Sequence, residues 1–260
     1  AINLGANTIS GNLSVTTAGT ITPSGAQTIG GSITFNTGGA AQDIGLLDNA
    51  GLTGTSLTVT SGAMTTVSTL TFGGPVTLNS SGAITVTSAV TATGSALSAT
   101  ATGAITGAGG LTGTTLTLSG SSIGSATTAL TLGTIGTLNG TVTGLTASTP
   151  TTGDVFNIAA TSISSIGTIA AKAGGVAHDV KIAAPGSTIT VGGGNPSIDS
   201  TGAVAFTVAG VGSVGTPMNV IAAGGDAGIT CNGATCTPPT FNLNASTATL
   251  TATINNVLSG

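Results

Sequence analysis

Residues 76–118 read VTLNSSGAITVTSAVTATGSALSATATGAITGAGGLTGTTLTL, a stretch in which short apolar–polar–apolar triplets alternate with glycine-rich segments. The same triplets occur upstream, and their first residues are spaced by 20, 24, 19, 21 and 19 positions. These first residues are Leu13, Ile33, Leu57, Val76, Leu97 and Leu116. Because so short a unit cannot bury its own apolar face, it must stack on copies of itself. The repeat therefore predicts a solenoid.

The local pattern indicates that this solenoid is built from strands. Apolar and polar residues alternate with a period of two, and 44 glycines with abundant threonine oppose helix formation. Glycine pairs such as Gly38-Gly39 and Gly109-Gly110 suit tight corners, because glycine readily adopts positive φ. We predict an all-β fold, a parallel β-helix (β-solenoid) with two to three short strands and about 20 residues per coil.

The chain is predicted to form one continuous β-solenoid over residues 1–260, with a change in regularity near its middle. Coils in residues 1–149 follow the repeat closely, and Thr149-Pro150-Thr151-Thr152-Gly153 interrupts it. Coils in residues 150–260 are expected to carry longer corner loops. The repeat continues there in triplets that begin at Phe156, Val180, Val204, Met218 and Phe241.

Two sets of apolar residues are predicted to point into the solenoid. One set is the triplet series itself. The second set recurs about once per coil as Ile21, Ile44, Val67, Ile84, Ile105 and Ile123. Inward side chains of successive coils would stack as aliphatic ladders at the strand spacing of about 4.8 Å.

The polar positions of the repeat are predicted to form two rows on the outer surface. One row contains Ser14, Thr34, Thr58, Thr77, Ser98 and Thr117, and the neighbouring row contains Thr16, Asn36, Thr60, Asn79, Thr100 and Ser119. Threonine suits these positions because it is β-branched and can hydrogen-bond along a ladder. Flat threonine rows also suggest ice binding, although the Asn and Ser residues and the varying coil length argue against a lattice match.

The composition excludes several classes of function. Of the 260 residues, 3% are charged and 2% are aromatic, and the formal net charge is −4. Two lysines cannot build the basic surface that nucleic-acid binding requires. Gly, Ser or Thr interrupts every apolar run, so no membrane insertion is expected.

The ionisable residues form no pattern typical of an enzyme or a metal site. The densest group, Lys172, His178, Asp179 and Lys181, is expected to solvate a corner loop. Parallel β-helices also occur as polysaccharide-degrading enzymes, but their chemistry needs clustered carboxylates or bases. The six Asp residues of this chain are scattered. We therefore expect no catalytic residue, no metal site and no cofactor.

The two cysteines, Cys231 and Cys236, lie in the polar segment Cys-Asn-Gly-Ala-Thr-Cys. A disulfide between them is predicted, and it would place the chain in an oxidising, extracytoplasmic compartment. A pair of reduced thiols is the alternative. A metal site would need further ligands that the neighbouring sequence lacks.

The repeats resemble the β-helical shaft of filamentous haemagglutinin-type adhesins, the giant proteins exported by two-partner secretion. The resemblance rests on Gly54-Thr55-Ser56-Leu57-Thr58-Val59-Thr60, on Gly82-Ala83-Ile84-Thr85-Val86-Thr87 and on Gly212-Ser213-Val214-Gly215-Thr216-Pro217. It implies a right-handed parallel β-helix on a bacterial surface. The chain departs from the family in one respect, because Asn195-Pro196 continues as Ser197-Ile198 and gives no Asn-Pro-Asn-Gly motif of the secretion domain.

These features fit two functions of different classes. The chain is expected to be a non-enzymatic extracellular structural protein, a segment or subunit of a bacterial cell-surface filament or adhesin shaft. The alternative is an adhesin module that binds host glycans or proteins, and fold alone does not choose between them. The ends are expected to be covered by more β-helix, because Ala1-Ile2-Asn3-Leu4 and Leu250-Thr251-Ala252-Thr253-Ile254 still alternate and no polar cap follows. The further coils would come either from a longer parent chain or from another copy that docks head to tail.

Overall fold

The computed structural model describes residues 1–44, 52–143, 155–171, 179–191, 197–213, 218–222, 227–231, 241–245 and 251–254. These residues are mostly in parallel strands that stack as a β-solenoid, with successive turns about 22 residues apart. The predicted fold class, an all-β parallel solenoid, is confirmed. The chain divides into two compact units, Ala1–Gly120 and Ser121–Gly260. This division lies earlier than the change in regularity that the sequence places near residue 150.

The first unit is built from coils of three parallel strands, and equivalent strands of successive coils form three faces. The first face contains β1 (Ile2–Leu4), β4 (Ile21–Pro23), β7 (Gln42–Asp43), β9 (Met64–Thr66), β12 (Ile84–Val86) and β15 (Ile105–Thr106). The second face contains β2 (Asn7–Ile9), β5 (Gln27–Ile29), β10 (Leu70–Phe72), β13 (Val90–Ala92) and the beginning of β16 (Leu111–Gly120). The third face contains β3 (Leu13–Thr16), β6 (Ser32–Asn36), β8 (Ser56–Ser61), β11 (Val76–Ser80), β14 (Ala96–Ala101) and the rest of β16.

The triplet series forms one continuous inward ladder on the third face. Leu13 pairs with Ile33 and Ile33 with Leu57, and the register continues through Val76, Leu97 and Leu116. From Ile33 to Leu116 these side chains are buried. Coil length varies from 19 to 24 residues along the series, yet the register is unbroken. The variation is therefore absorbed at the corners.

The second predicted ladder is wrong at one position on the first face, Val67, whereas Ile44 is fully buried as expected. Met64, and not Val67, pairs with Ile84, and Gln42 pairs with Met64 in the preceding coil. Val67 is 42% exposed. It follows Met64 by three residues, and an odd offset puts a side chain on the opposite side of an extended chain. Spacing alone did not reveal this change of side.

The second unit uses longer strands. Its elements are β17 (Leu130–Val142), β18 (Val155–Ala171), β19 (Asp179–Val191), β20 (Ser197–Ser200), β21 (Val204–Ser213), β22 (Met218–Ala222), β23 (Ala227–Cys231), β24 (Phe241–Ala245) and β25 (Thr251–Ile254). The 17-residue β18 pairs with β17, then with β19 near its beginning and with β20 near its end. Beyond β18 the strands form two columns, in each of which a strand pairs with the next member of the same column. One column contains β19, β21, β23 and β25, and the other contains β20, β22 and β24.

Two expectations for this unit need correction. Strands of 13 and 17 residues replace the predicted short strands at β17 and β18, because Gly and Ser within them do not end them. The strands β20, β22, β23, β24 and β25 have four or five residues and are as short as predicted. The triplet series is right from Phe156 through Val180 to Val204, but Val204 pairs next with Ala227. Met218 begins a strand of the other column. The spacing of 14 residues between Val204 and Met218 reflects this change of column.

A close approach between two successive strands marks the core of the second unit. Phe156 of β18 is fully buried, and its ring lies where a side chain on Gly140 of β17 would be. A Cβ at position 140 would fall well inside van der Waals contact with this ring. The glycine is therefore required by the packing of the aromatic ring.

Candidate functional site on the third face

Two polar rows run along the outer side of the third face of the first unit. The first row consists of Ser14, Thr34, Thr58, Thr77, Ser98 and Thr117, each paired in register with the next. The second row consists of Thr16, Asn36, Thr60, Asn79, Thr100 and Ser119, paired in the same way. All of these residues are half-buried or exposed. The two predicted rows are therefore present, and they stay in register although the coil length varies.

An open groove of about 470 Å³ runs beside the second row, at the corner where the third face leads to the next coil. Four successive coils contribute to its lining, which consists of Asn36, Gly38, Gly39, Thr60, Ser61, Asn79, Ser80, Ser81, Thr100 and Thr102. Every one of these residues is uncharged and none is aromatic. Most of the surface that the groove exposes is apolar, so it offers small apolar contacts and a few hydrogen bonds, but no ion pair and no stacking surface.

The exposed side of the groove carries polar groups that the protein does not use. Within the described residues, the hydroxyls of Thr60 and Thr100 and the amide of Asn79 have no side-chain hydrogen bond. Asn36 differs, because its Oδ1 accepts a hydrogen bond from Gly38 N at 2.9 Å. The central part of the row thus has free donors and acceptors at successive coils.

The inner side of the groove is fixed by hydrogen bonds to the backbone. Ser80 is buried, and its hydroxyl donates to the carbonyl oxygen of Gly62 and accepts from Gly82 N at 3.0 Å. Thr102 Oγ1 donates to Ser81 O at 2.5 Å. Because these hydroxyls are already engaged, they hold the shape of the groove.

Elsewhere, amide side chains take the place of missing backbone partners between coils. Gln42 is buried, its Oε1 accepts from Ile21 N at 2.9 Å and its Nε2 donates to Ile21 O at 3.1 Å. Asn12 Oδ1 accepts from Ser32 N at 2.8 Å. These contacts keep buried or half-buried backbone groups hydrogen-bonded where the strand ladder is interrupted.

The sequence interpretation did not place amides in the interior. Gln27 is fully buried, and its Oε1 accepts from Asn7 Nδ2 at 2.8 Å while its Nε2 donates to Gly25 O at 2.8 Å. The sequence indicates the inward position of Gln27, because Gln27 lies two residues before Ile29 and therefore on the same side of the strand. No side was assigned to Gln27 from the sequence, although this parity predicts an inward side chain.

Two ionisable residues of the predicted group make hydrogen bonds to the backbone in the described part of the chain. Asp179 Oδ1 accepts a hydrogen bond from Ala203 N at 2.9 Å, and Lys181 Nζ donates to a backbone carbonyl at 3.4 Å. Lys172 and His178, the other members of the predicted group, lie outside the described residues. In the described part of the chain, no three or more His, Cys, Asp or Glu side chains are grouped so that they could hold a metal ion.

Two further sequence predictions concern the cysteines and the membrane. Cys231 is the last residue of β23, and Cys236 lies outside the described residues, so the disulfide stays a prediction. Within the described ranges, no helix has the length and apolar character needed to cross a membrane.

Comparison with known proteins gives one partial match. Residues 1–51 match the family described as "Repeats of unknown function (DUF5649)", which agrees with the repeats seen in the sequence and in the structure. No curated protein and no solved structure matches the chain. These findings support a repeat β-solenoid.

Proposed function

We propose that the chain is a non-enzymatic structural protein, a β-solenoid segment or subunit of a bacterial cell-surface filament or adhesin shaft that assembles end to end. Its partner in this assembly is a further coil of the same kind, either a continuation of the same polypeptide or another copy of the chain. The repeat fold is compatible with such a role. The extracellular location rests on the predicted disulfide and on the resemblance to adhesin shafts.

The observation that supports the proposal is the strand edge that β1 and β2 present within the described residues, which a further coil would cover whether it precedes them in the same polypeptide or belongs to another copy of the chain. Among the described strands of the first unit, β1 pairs with β4 alone and β2 pairs with β5 alone. In β2, Asn7 N donates to Ala26 O and Ile9 O accepts from Gly30 N. Because bonding alternates along a strand, the N–H and C=O of Thr8 face the other side, away from β5. That side can pair with another parallel strand.

The apolar side chains of the first coil support the same interpretation. Ile9 is half-buried, whereas Ile29, its partner in the next coil, is 4% exposed. Ile2 is likewise half-buried and its partner Ile21 is 1% exposed. A coil docked on β1 and β2 would bury this apolar surface and satisfy the free backbone groups together. With only 3% of residues charged, little electrostatic repulsion opposes that contact.

Sedimentation velocity of residues 1–260 at increasing concentration, with electron microscopy of the same samples, tests this proposal. We expect species larger than one chain of 24.0 kDa to grow with concentration, together with fibres one coil in width. A folded, monodisperse monomer at high concentration would refute end-to-end assembly. Circular dichroism on each sample would establish that the protein is folded.

A further inference from the structure

The groove beside the second polar row has a use that end-to-end assembly does not require. It lies on the side of the coils, whereas β1 and β2 carry the edges proposed for assembly. Its exposed groups repeat along the stack, with Asn79 in register between Thr60 and Thr100. In parallel strands these positions are about 4.8 Å apart. A ligand that follows the groove would therefore meet similar groups at regular intervals.

The chemistry of the lining restricts the class of ligand. No residue of the lining is charged, so an anionic or cationic ligand would lose water without gaining an ion pair. Threonine hydroxyls and the Asn79 amide can each donate and accept hydrogen bonds, which matches the hydroxyl groups of sugars. The threonine methyl groups and the Cα atoms of Gly38 and Gly39 offer small apolar contacts to sugar C–H groups.

The shape restricts the ligand further. The groove is open to solvent and is formed by four successive coils, so it suits an extended chain better than a compact molecule. The step between coils is close to the advance per residue of an extended β-linked hexose chain. A peptide with large apolar anchors would find no deep apolar pocket among the described lining residues.

We propose that the groove formed by the corner beside Asn36, Thr60, Asn79 and Thr100 binds a neutral polysaccharide chain that runs along the stack of coils. Each coil contributes a few hydrogen bonds, so binding to a single sugar is weak and binding to a long chain is strengthened by repetition. Ser80 and Thr102 hold the inner wall, while Thr60, Asn79 and Thr100 contact the sugar hydroxyls.

Affinity electrophoresis tests this proposal on the whole chain. The protein is run in native gels that contain hydroxyethylcellulose or xyloglucan as neutral probes, or alginate as an anionic probe, and its mobility is compared with that in a plain gel. Self-assembly changes mobility in all gels alike, so retardation by polysaccharide is measured independently of it. We expect retardation in at least one neutral gel and none in alginate.

Matched variants locate the binding. Thr60→Val/Asn79→Leu/Thr100→Val removes the free hydrogen-bonding groups of the groove and should weaken the apparent affinity by about fivefold or more. Thr58→Val/Thr77→Val/Ser98→Ala changes the first row on the same strands and should leave the affinity unchanged. Circular dichroism would establish that both variants fold.

Three results would overturn the proposal. The first is that neither neutral polysaccharide retards the wild-type protein, and the second is that alginate alone retards it. The third is that the two sets of variants lose affinity equally. The last result would show that binding does not depend specifically on the groove. If the groove variant does not fold, Asn79→Leu alone is used, with Thr77→Val as its control and the same criteria.

Discussion

The side-chain amide of Gln42 bonds to both the backbone N–H and the backbone C=O of Ile21, at 2.9 and 3.1 Å. It does for Ile21 what a strand of the next coil does elsewhere on the first face. In a solenoid, such a contact joins one coil to the next at a point where the backbone ladder is interrupted. Interior amides are therefore part of how the first coils stack.

Replacing Gln42 with Met should destabilise the first unit. Met has a similar volume but leaves the buried N–H and C=O of Ile21 without partners, at a cost of about 1–3 kcal/mol. Urea unfolding would measure this change. Met64→Leu, in the neighbouring place of the same ladder, is the control and should cost less than about 1.5 kcal/mol. Equal losses for the two variants would contradict the role given to the amide.

On the third face, inward and outward side chains alternate, so a charged substitution should be destabilising at one position and tolerated at the next. Leu116→Asp would bury an unpaired carboxylate at a site with 0% exposure, and it should cost about 3–5 kcal/mol. Thr117→Asp places the same charge on the outer surface, where a change within about 1 kcal/mol is expected. Thermal and urea unfolding of both variants would measure the difference, and similar costs would contradict the assignment.

Because the ring of Phe156 packs against Gly140, a methyl group added at position 140 should clash with the ring, whereas one added at an open glycine should not. Gly140→Ala should destabilise the second unit by about 1–3 kcal/mol, because the added methyl overlaps the ring. Gly73→Ala is the control, since a Cβ there has nothing within 4 Å. Adding Phe156→Leu to Gly140→Ala should restore part of the lost stability, which urea unfolding would detect. No restoration would argue against direct contact.

Substitution of Asp179 distinguishes a structural role of its carboxylate from a catalytic one. Its Oδ1 accepts a hydrogen bond from Ala203 N, so Asp179→Ala should cost about 1 kcal/mol. Asp179→Asn keeps an acceptor oxygen and should retain most of the stability. Unfolding midpoints compare the three proteins. A polysaccharide-cleaving activity in the wild-type protein that Asp179→Asn abolishes would contradict both this role and the non-enzymatic proposal.

Sequence predicted the third face well because its strands alternate strictly and carry an aliphatic residue at nearly every inward position. The first face was harder to predict from sequence. Gln42 points inward although its polarity is typical of a surface residue, and Val67 is exposed although its apolar side chain is typical of a core residue. In the second unit, the long strands β17 and β18 were not predicted, because they contain Gly and Ser, which an extended chain tolerates when its neighbours pair. The groove beside Asn79 was not predicted at all, since it depends on how corners of four coils align.

Pairing of a further coil with the first coil is the central claim, and for residues 1–260 on their own a pair of proline substitutions tests it most directly. In β1, Ile2 N donates to Thr20 O and Leu4 O accepts from Ser24 N, so the backbone of Asn3, like that of Thr8 in β2, faces the open edge. Asn3→Pro/Thr8→Pro removes both outward N–H groups and spares the bonds to β4 and β5. Asn3→Ala/Thr8→Ala is the matched control.

The decisive measurement is the sedimentation velocity of these two variants beside the wild-type protein, at the concentration where the wild-type protein assembles. The account predicts that the proline variant remains a folded monomer, while the alanine variant assembles as the wild-type protein does. Assembly of the proline variant into the same fibres would contradict it.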